Sequence, residues 1–428
     1  METYREIGSC RACGKRELKP VFSLGEQYVI NFSENMESKE AYKTPLELVM
    51  CDAQKGGCGL LQLKHTFNRE LLYREYWYRS GINALMIQNL KNIVDEAVKT
   101  ARLEEGDVVL DIGSNDGTLL RQYADKNITR VGFEPSNLAD MAGNGISTIK
   151  DFFNYASYKA KVGKPAKIIT SIAMFYDLDD PNQFVDDIKH VLDPEGVWII
   201  QMNYLGLMIK NKTFDNILAE HLEYYSLASL ENLLNRHELE IFDVETNDVN
   251  GGSVRTYIRH RGSRISRTNG IDRVREMQNL ERSMRLNDKE TYIRFGQDLQ
   301  ELKRKVTKFV EEEKAKGRIF YLEGASTRGL VQMQFFGFTN KEFQYAIEKD
   351  PRKWGKFYAE TNIKIISPEG FYKLDGNRLA SGSPAYLYVL PYHFLPSIIK
   401  DRKEYMEAGG KLFVVIPEFK IIESGNTG

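Results

Sequence analysis

The sequence predicts an α/β protein in three parts: a small N-terminal zinc-binding lobe, a Rossmann-like domain, and a second C-terminal Rossmann-like α/β domain. Three observations predict it. An apolar strand runs into a glycine-punctuated turn at Val108-VLDIGSNDGT-Leu119. A second strand with a small-residue turn begins at Arg318-IFYLEGASTR-Gly329. All four cysteines, Cys10, Cys13, Cys51 and Cys58, fall at one end of a chain of 428 residues. That length exceeds one ordinary core.

The cysteines read C-x-x-C and then C-x6-C, with Gly14 after the first pair and Gly56, Gly57 and Gly59 around the last member. Tight glycine turns of this kind let backbone amides face thiolates, and four thiolates form the usual closed structural zinc set. The alternatives are two disulfides or a redox pair. The absence of a secretory signal at Met1-ETYRE speaks against the first, and the absence of a thioredoxin-like βαβ pattern speaks against the second. Residues 1–67 are assigned to this lobe.

Residues 68–265 are assigned to the first Rossmann-like domain. Helical patterning from Asn68 to about Val98 carries the aromatic run Tyr73-REYW-Tyr78. Strands follow at 107–112, 130–134, 167–171, 196–202, 239–246 and 253–259, with helices after Thr118 and Asn137 and at 182–192 and 227–236. Asp111, at the carboxyl end of the first strand, and Glu134, after the second, stand where an open α/β sheet binds cofactors, the second acid on ribose hydroxyls. Gly113, Ser114, Asn115, Gly117 and Pro135 complete the loop. Its spacing, with Asp116 in place of a phosphate contact, disfavours a dinucleotide and suits the cationic S-adenosylmethionine. An ordinary βα turn is the bland alternative.

Residues 266–317 lack proline and repeat apolar positions from Val274 to Phe309 without a clean heptad, which predicts long connecting helices packed on their neighbours. In residues 318–428 the first turn carries Ser326, Thr327 and Arg328 rather than acids, and this suits phosphate. Hydrophobic residues make up 42% and the formal net charge is −1, so no global attraction to nucleic acid or anionic lipid is expected. No apolar run spans a membrane, and a cytoplasmic monomer is expected.

The order of four-cysteine lobe, DIGSNDGTLL, EHLEYYSL, NGGSVR and second Rossmann-like half resembles the nucleotide-sugar C-methyltransferases, including the sugar C-3 methyltransferases of deoxysugar biosynthesis. The resemblance covers nearly the whole chain. It implies a class I methyltransferase domain binding S-adenosylmethionine, a structural zinc, and a nucleotide-linked 4-keto-6-deoxyhexose methylated beside its ketone, at carbon 3. It implies His221 as the base with Glu220 as orienting partner or second proton acceptor, and Tyr78 and Tyr224 on the keto sugar, with Tyr76 competing for the place of Tyr78. Asn250, Ser253 and Arg255 border the sugar pocket. Gly324, Ser326, Thr327, Arg328, Asp350, Lys353, Tyr392 and His393 face the nucleotide.

Bland alternatives stand beside these roles: a capping Glu-His pair, core aromatics, a bulge at Gly251-Gly252, and a solvated Arg328. The chain also departs from the family pattern. Leu218 replaces the tyrosine of Y-x-E-H, Asp177 replaces a histidine after the third strand, Gly324-ASTR-Gly329 replaces G-A-x-x-K-G, and Tyr392-His-Phe394 replaces W-N-F. Rival functions are a sugar O-methyltransferase, a zinc-ribbon RNA-binding methyltransferase, which would need a basic face, and a scaffold with a vestigial cofactor loop.

Overall fold

A computed structural model describes residues 3–29, 32–34, 42–73, 79–123, 127–381 and 384–425. The central sheet has seven strands, in the order Leu239–Asn247, Ser253–His260, Leu192–Asn203, Ala166–Ile172, Val108–Ile112, Thr129–Phe133, Ser147–Ile149. Ser253–His260 is antiparallel to both neighbours and the other pairings are parallel. Counted along the chain this is the order 3-2-1-4-5-7-6. The strand order reverses at Val108–Ile112, all five residues of which are buried. A cofactor crevice belongs at such a reversal, outside the carboxyl strand ends.

The strands stand within a few residues of the positions read from the sequence. Two helices do not form as predicted: after Thr118 the described residues make a 3-10 turn, Leu120–Gln122. Thr118 is instead held by Asp116, whose Oδ1 accepts from its backbone N–H at 3.2 Å and its hydroxyl at 2.6 Å. The segment after Asn137 is likewise a 3-10 turn, Asn137–Met141.

The N-terminal lobe is a four-stranded antiparallel sheet, ordered Glu223–Tyr224, Leu61–Leu63, Lys43–Cys51, Leu18–Tyr28. Its edge strand therefore comes from the segment just after His221. The C-terminal sheet has eight strands, and its last, Phe32–Ser33, comes from the N-terminal lobe, antiparallel to Phe357–Tyr358. Sheets thus trade strands across the chain segments read from sequence.

The proline-free stretch forms two helices, Gly270–Met284 and Lys289–Ala315. Tyr292, Phe295, Leu299, Leu302, Val306 and Val310 recur at helical spacing and are buried. They join one apolar cluster that includes Leu46 and Leu63 of the N-terminal sheet and Phe320 and Tyr388 of the C-terminal sheet. Gly296 is required there, because a Cβ would lie 2.5 Å from the Phe22 ring. Among the described residues, no helix is long and apolar enough to cross a membrane.

Candidate active site

One cavity of about 960 Å³ runs from the carboxyl ends of the central strands, past His221, to the start of the helix Thr327–Phe336 in the C-terminal half. At its inner end lie Asp111, Gly113, Ser114, Asn115, Glu134 and Pro135. The Gly113 and Ser114 N–H groups donate to the Phe133 carbonyl at 2.9 and 3.0 Å, which closes the turn onto the second strand. Glu134 accepts from the Asn115 N–H at 2.8 Å and the Ser136 N–H at 2.9 Å. Asp111 accepts from the Thr170 hydroxyl at 2.6 Å. Burial drives the Asp111 pKa up to about 7, Thr170 opposes the rise and Glu134 adds to it.

These residues fit S-adenosylmethionine. Two carboxyl groups face the cavity with no ion pair to a chain cation among the described residues, and among those residues the buried Ser114 hydroxyl has no hydrogen-bond partner. Bound there, the cofactor supplies an electrophilic methyl group. Two details of the loop differ from the sequence reading. Gly117 does not line the cavity; its φ of +76° and the 2.9 Å that would separate a Cβ from the Ala142 Cα make it a packing glycine. The Asp116 carboxylate faces inward, bonded to Thr118 and to the Gly81 N–H at 3.0 Å, and repels no phosphate.

His221 stands midway along the cavity, on the loop entering the strand Glu223–Tyr224. That loop is stitched on both sides: the Leu222 N–H donates to the Tyr176 carbonyl at 2.8 Å, and the Leu63 N–H donates to the Leu222 carbonyl at 2.9 Å. The imidazole Nδ1 lies 2.8 Å from the Asn216 carbonyl. A carbonyl only accepts, so Nδ1 carries the proton and Nε2 keeps its lone pair. The Tyr176 ring packs 4.2 Å from the imidazole. Burial lowers the His221 pKa to about 3, with Arg328 adding to the shift and the Asn216 bond opposing it. Burial raises that of Glu220, also in the cavity wall, to about 7. The Asn216 carbonyl is thus a group that orients the His221 ring.

The other expected contacts divide. Asn250, Ser253, Ser326, Thr327, Arg328 and His393 line the cavity. The Ser326 hydroxyl caps the helix by accepting from the Gly329 N–H at 3.1 Å. Tyr224 does not reach the cavity: it is 5% exposed in a strand pair with Leu61, packed in the apolar core. Arg255 is spent inside the sheet on Gln201 at 3.0 Å and Asn92 at 2.9 Å. Gly324 has a φ of +90° and abuts Pro391, where a Cβ would lie 2.8 Å from the ring. Asp350 pairs with Arg352, and Lys353 donates to the Ala325 carbonyl at 2.7 Å and to Glu348 at 3.1 Å. Arg328 is not a free phosphate ligand, because both edges of its guanidinium are held by Asp215, Asn250 and Tyr392. Tyr392 is correspondingly turned from the cavity. Tyr78 and its competitor Tyr76 lie outside the described residues.

Sequence reasoning missed Tyr176, Asn203 and Asn216. Asn203 ends its strand in the cavity wall, donates to the Asn216 side chain at 3.1 Å, and has a buried side-chain carbonyl oxygen without a partner among the described residues. Only its place at a carboxyl strand end could have marked it.

The four cysteine sulfurs lie within 4.8 Å of one another, with Cys10 to Cys58 at 3.6 Å and Cys13 to Cys51 at 3.4 Å. A tetrahedral zinc with bonds of about 2.3 Å needs sulfurs about 3.8 Å apart, so the cluster fits a structural zinc and leaves no open position. Gln62 donates to the Cys10 sulfur at 3.2 Å, and Gly57 allows Cys51 a close approach that a Cβ, at 2.5 Å, would block. One zinc per chain is expected by elemental analysis. Chelation is expected to unfold the lobe, seen as lost near-ultraviolet dichroism.

Three family models match the chain in order: a zinc binding domain over residues 10–73, a methyltransferase domain over 78–244, and a C-methyltransferase C-terminal domain over 248–417. The C-methyltransferase NovU of Streptomyces niveus is 29% identical over 437 residues, covering 100% of this chain and 99% of that protein. Among solved structures, an S-adenosylmethionine-dependent methyltransferase from Clostridium acetobutylicum is 12% identical, covering 41% of this chain and 92% of its own, with a TM-score of 0.33. The magnesium protoporphyrin IX methyltransferase of Synechocystis, with bound SAH, is 14% identical, covering 45% and 92%, with a TM-score of 0.32.

Proposed function

We propose that this chain, which belongs to the S-adenosylmethionine-dependent C-methyltransferases, methylates carbon 3 of a nucleotide-linked 4-keto-6-deoxyhexose. The observation that carries the reading is the single cavity of about 960 Å³, which joins the acid-lined cofactor end, the His221 lone pair and the capped helix start at Ser326-Thr327. A ligand pocket commonly measures about 300–1,000 Å³, so this one has room for a cofactor and an extended acceptor together.

A carbon beside a ketone loses a proton only to a positioned base, and its enolate must be stabilised. His221 Nε2 takes that proton in this reading, with Nδ1–H anchored on Asn216 so that the ring cannot turn away. An imidazole held neutral by burial is a weak base in the empty cavity. The negative charge forming on the acceptor offsets the cost of the imidazolium. The Asn203 side-chain carbonyl, at the cavity wall, can accept a hydrogen bond from a hydroxyl of the sugar. In this reading the start of the helix Thr327–Phe336, which opens on the cavity, faces the diphosphate with the positive end of its dipole, and His393 and Asn250 flank the nucleotide.

A second reading of the base is favoured by the place of Glu220 in the cavity wall, where burial pushes its carboxyl up to about 7, the range that suits a general base at neutral pH. Methyl-labelled S-adenosylmethionine incubated with dTDP-, GDP- and CDP-linked 4-keto-6-deoxyhexoses, followed by carbon NMR, is expected to place the label on a ring carbon. Label on an oxygen rejects methylation at carbon, and label on none of these sugars rejects the acceptor. His221→Asn is expected to lower kcat by about 10²–10⁴-fold with unchanged cofactor affinity. If Glu220→Gln abolishes turnover and His221→Asn does not, the glutamate is the base.

A further inference from the structure

We infer that Arg328 and Asp215 form a positioning clamp by which the C-terminal half of the molecule holds the His221 imidazole in its working tautomer and direction. The inference rests on the reading of His221 as proton acceptor. It concerns residues that do not themselves touch the reacting atoms.

Four separated segments meet at the pair of Arg328 and Asp215, the latter 1% exposed. Arg328, in the first turn of the helix Thr327–Phe336, grips its carboxylate with two parallel bonds, Nε to Oδ2 and Nη2 to Oδ1, both 3.0 Å. Gln332, one turn further along the same helix, donates to Oδ2 at 3.2 Å. The Tyr392 hydroxyl lies 3.5 Å from Oδ1 and bonds the Arg328 guanidinium. The remaining edge of Arg328 donates to the Asn250 carbonyl at 2.7 Å. Gly251, with a φ of +86°, is what allows Tyr392 so close: a Cβ there would sit 2.6 Å from the hydroxyl.

The residue after Asp215 is the one that holds the imidazole. Asn216 ends the 3-10 turn Phe214–Asn216, and its carbonyl accepts the Nδ1–H of His221 at 2.8 Å. A single-turn 3-10 helix has poor hydrogen-bond geometry and little stiffness of its own. Its direction must be imposed from outside, and the planar fork of an arginine on a carboxylate fixes both distance and angle. A tilt of the Asp215 peptide would swing the Asn216 carbonyl away from Nδ1 and free the ring to exchange tautomers. Because Ser326, Thr327 and Arg328 share one turn, ligand contact at the helix start and orientation of the base act on the same rigid element.

The test compares Arg328→Met, Asp215→Asn, Arg328→Lys and the double variant Arg328→Met/Asp215→Leu in the full-length, zinc-loaded protein with ¹⁵N-histidine. Each single removal strands a buried charge and would destabilise the fold, whereas the double variant replaces the pair by apolar groups that a buried site tolerates. The double variant is expected to keep its melting temperature and its affinity for S-adenosylmethionine within about 3-fold, and to lose about 10²-fold in kcat with little change in acceptor KM. Its His221 ring nitrogens are expected to change from one Nδ1–H tautomer to a mixture. Arg328→Lys, which keeps the charge and loses the fork, falls between. A double variant with wild-type kcat and one tautomer overturns the clamp. So does a kcat loss matched by an equal loss of cofactor affinity. If wild-type protein methylates none of the keto sugars, the acceptor reading fails, while the tautomer spectra still decide the clamp.

Discussion

The two Rossmann-like halves carry the same turn, and they use it in opposite ways. In the first, the Gly113 N–H donates to the Phe133 carbonyl, and Glu134 collects the N–H groups of Asn115 and Ser136. In the second, the Gly324 N–H donates to the Ile347 carbonyl at 2.8 Å, and Glu348 collects those of Ala325 at 3.0 Å and Asp350 at 3.1 Å. The backbones match closely; the charges differ. Glu348 is met by the Lys353 ammonium, and Glu323 by a fork from Arg402 with both bonds at 3.0 Å. Glu134 and Asp111 have no such partner among the described residues and border the cavity, whereas Glu323 and Glu348 do not line it. Glu323 and Glu348, each given a chain cation, have become part of the scaffold; in the proposed reading Asp111 and Glu134 are left for the cationic ligand.

This contrast can be broken from either side. The largest effect is expected in the second half: Arg402→Met strands the buried Glu323 and should cost about 3–5 kcal/mol by denaturant unfolding, leaving cofactor affinity untouched. The mirror change, Asp111→Asn, should cost the empty protein little or no stability, because it removes a desolvated carboxyl, yet weaken S-adenosylmethionine. If it destabilises as Arg402→Met does, the two halves are alike and the comparison fails. Glu134→Gln should raise the cofactor Kd by about 10–100-fold in calorimetry, while Glu348→Gln should not move it, each charged hydrogen bond being worth about 1.5–3 kcal/mol.

The smallest effect concerns pH. With its pKa raised to about 7 in the empty site, Asp111 favours its neutral form. Its contribution to stability is therefore present at low pH and is lost as pH rises from its ordinary range through 7. A cationic ligand prefers the ionised form, so cofactor affinity should rise a few-fold between about pH 6 and 8, with proton uptake by the buffer. Asp111→Asn should flatten that rise; a slope that persists assigns the proton elsewhere.

Much of this was legible in the sequence because it depends on local chemistry. The cysteine spacing, the apolar strands and the Gly113 turn each act within a few residues, and Asp111 and Glu134 follow from the strand ends. What escaped depends on partners far along the chain. Nothing near Lys353 reveals that Ala325 and Glu348 hold it, and nothing in NGGSVR shows that Arg255 is consumed by Gln201 and Asn92 while Gly251 makes way for Tyr392. Tyr224 follows the histidine at a spacing that suits a shared helical face, but the segment is a strand, and it turns into the core. Arg328 lines the cavity, but its charge is committed to Asp215, which no residue near it in the sequence reveals.

The exchanged strands bear on how such a molecule can be inherited. Phe32–Ser33 completes the C-terminal sheet and Glu223–Tyr224 completes the N-terminal one. Each third of the chain therefore exports or imports a sheet edge. A recombination breakpoint between thirds would separate a strand from its sheet and leave a row of unpaired backbone groups open to other chains. Acceptor specificity in a molecule built this way should change by substitution within the shared cavity, and chimeras cut at the linear boundaries should aggregate unless the visiting strand travels with its host sheet.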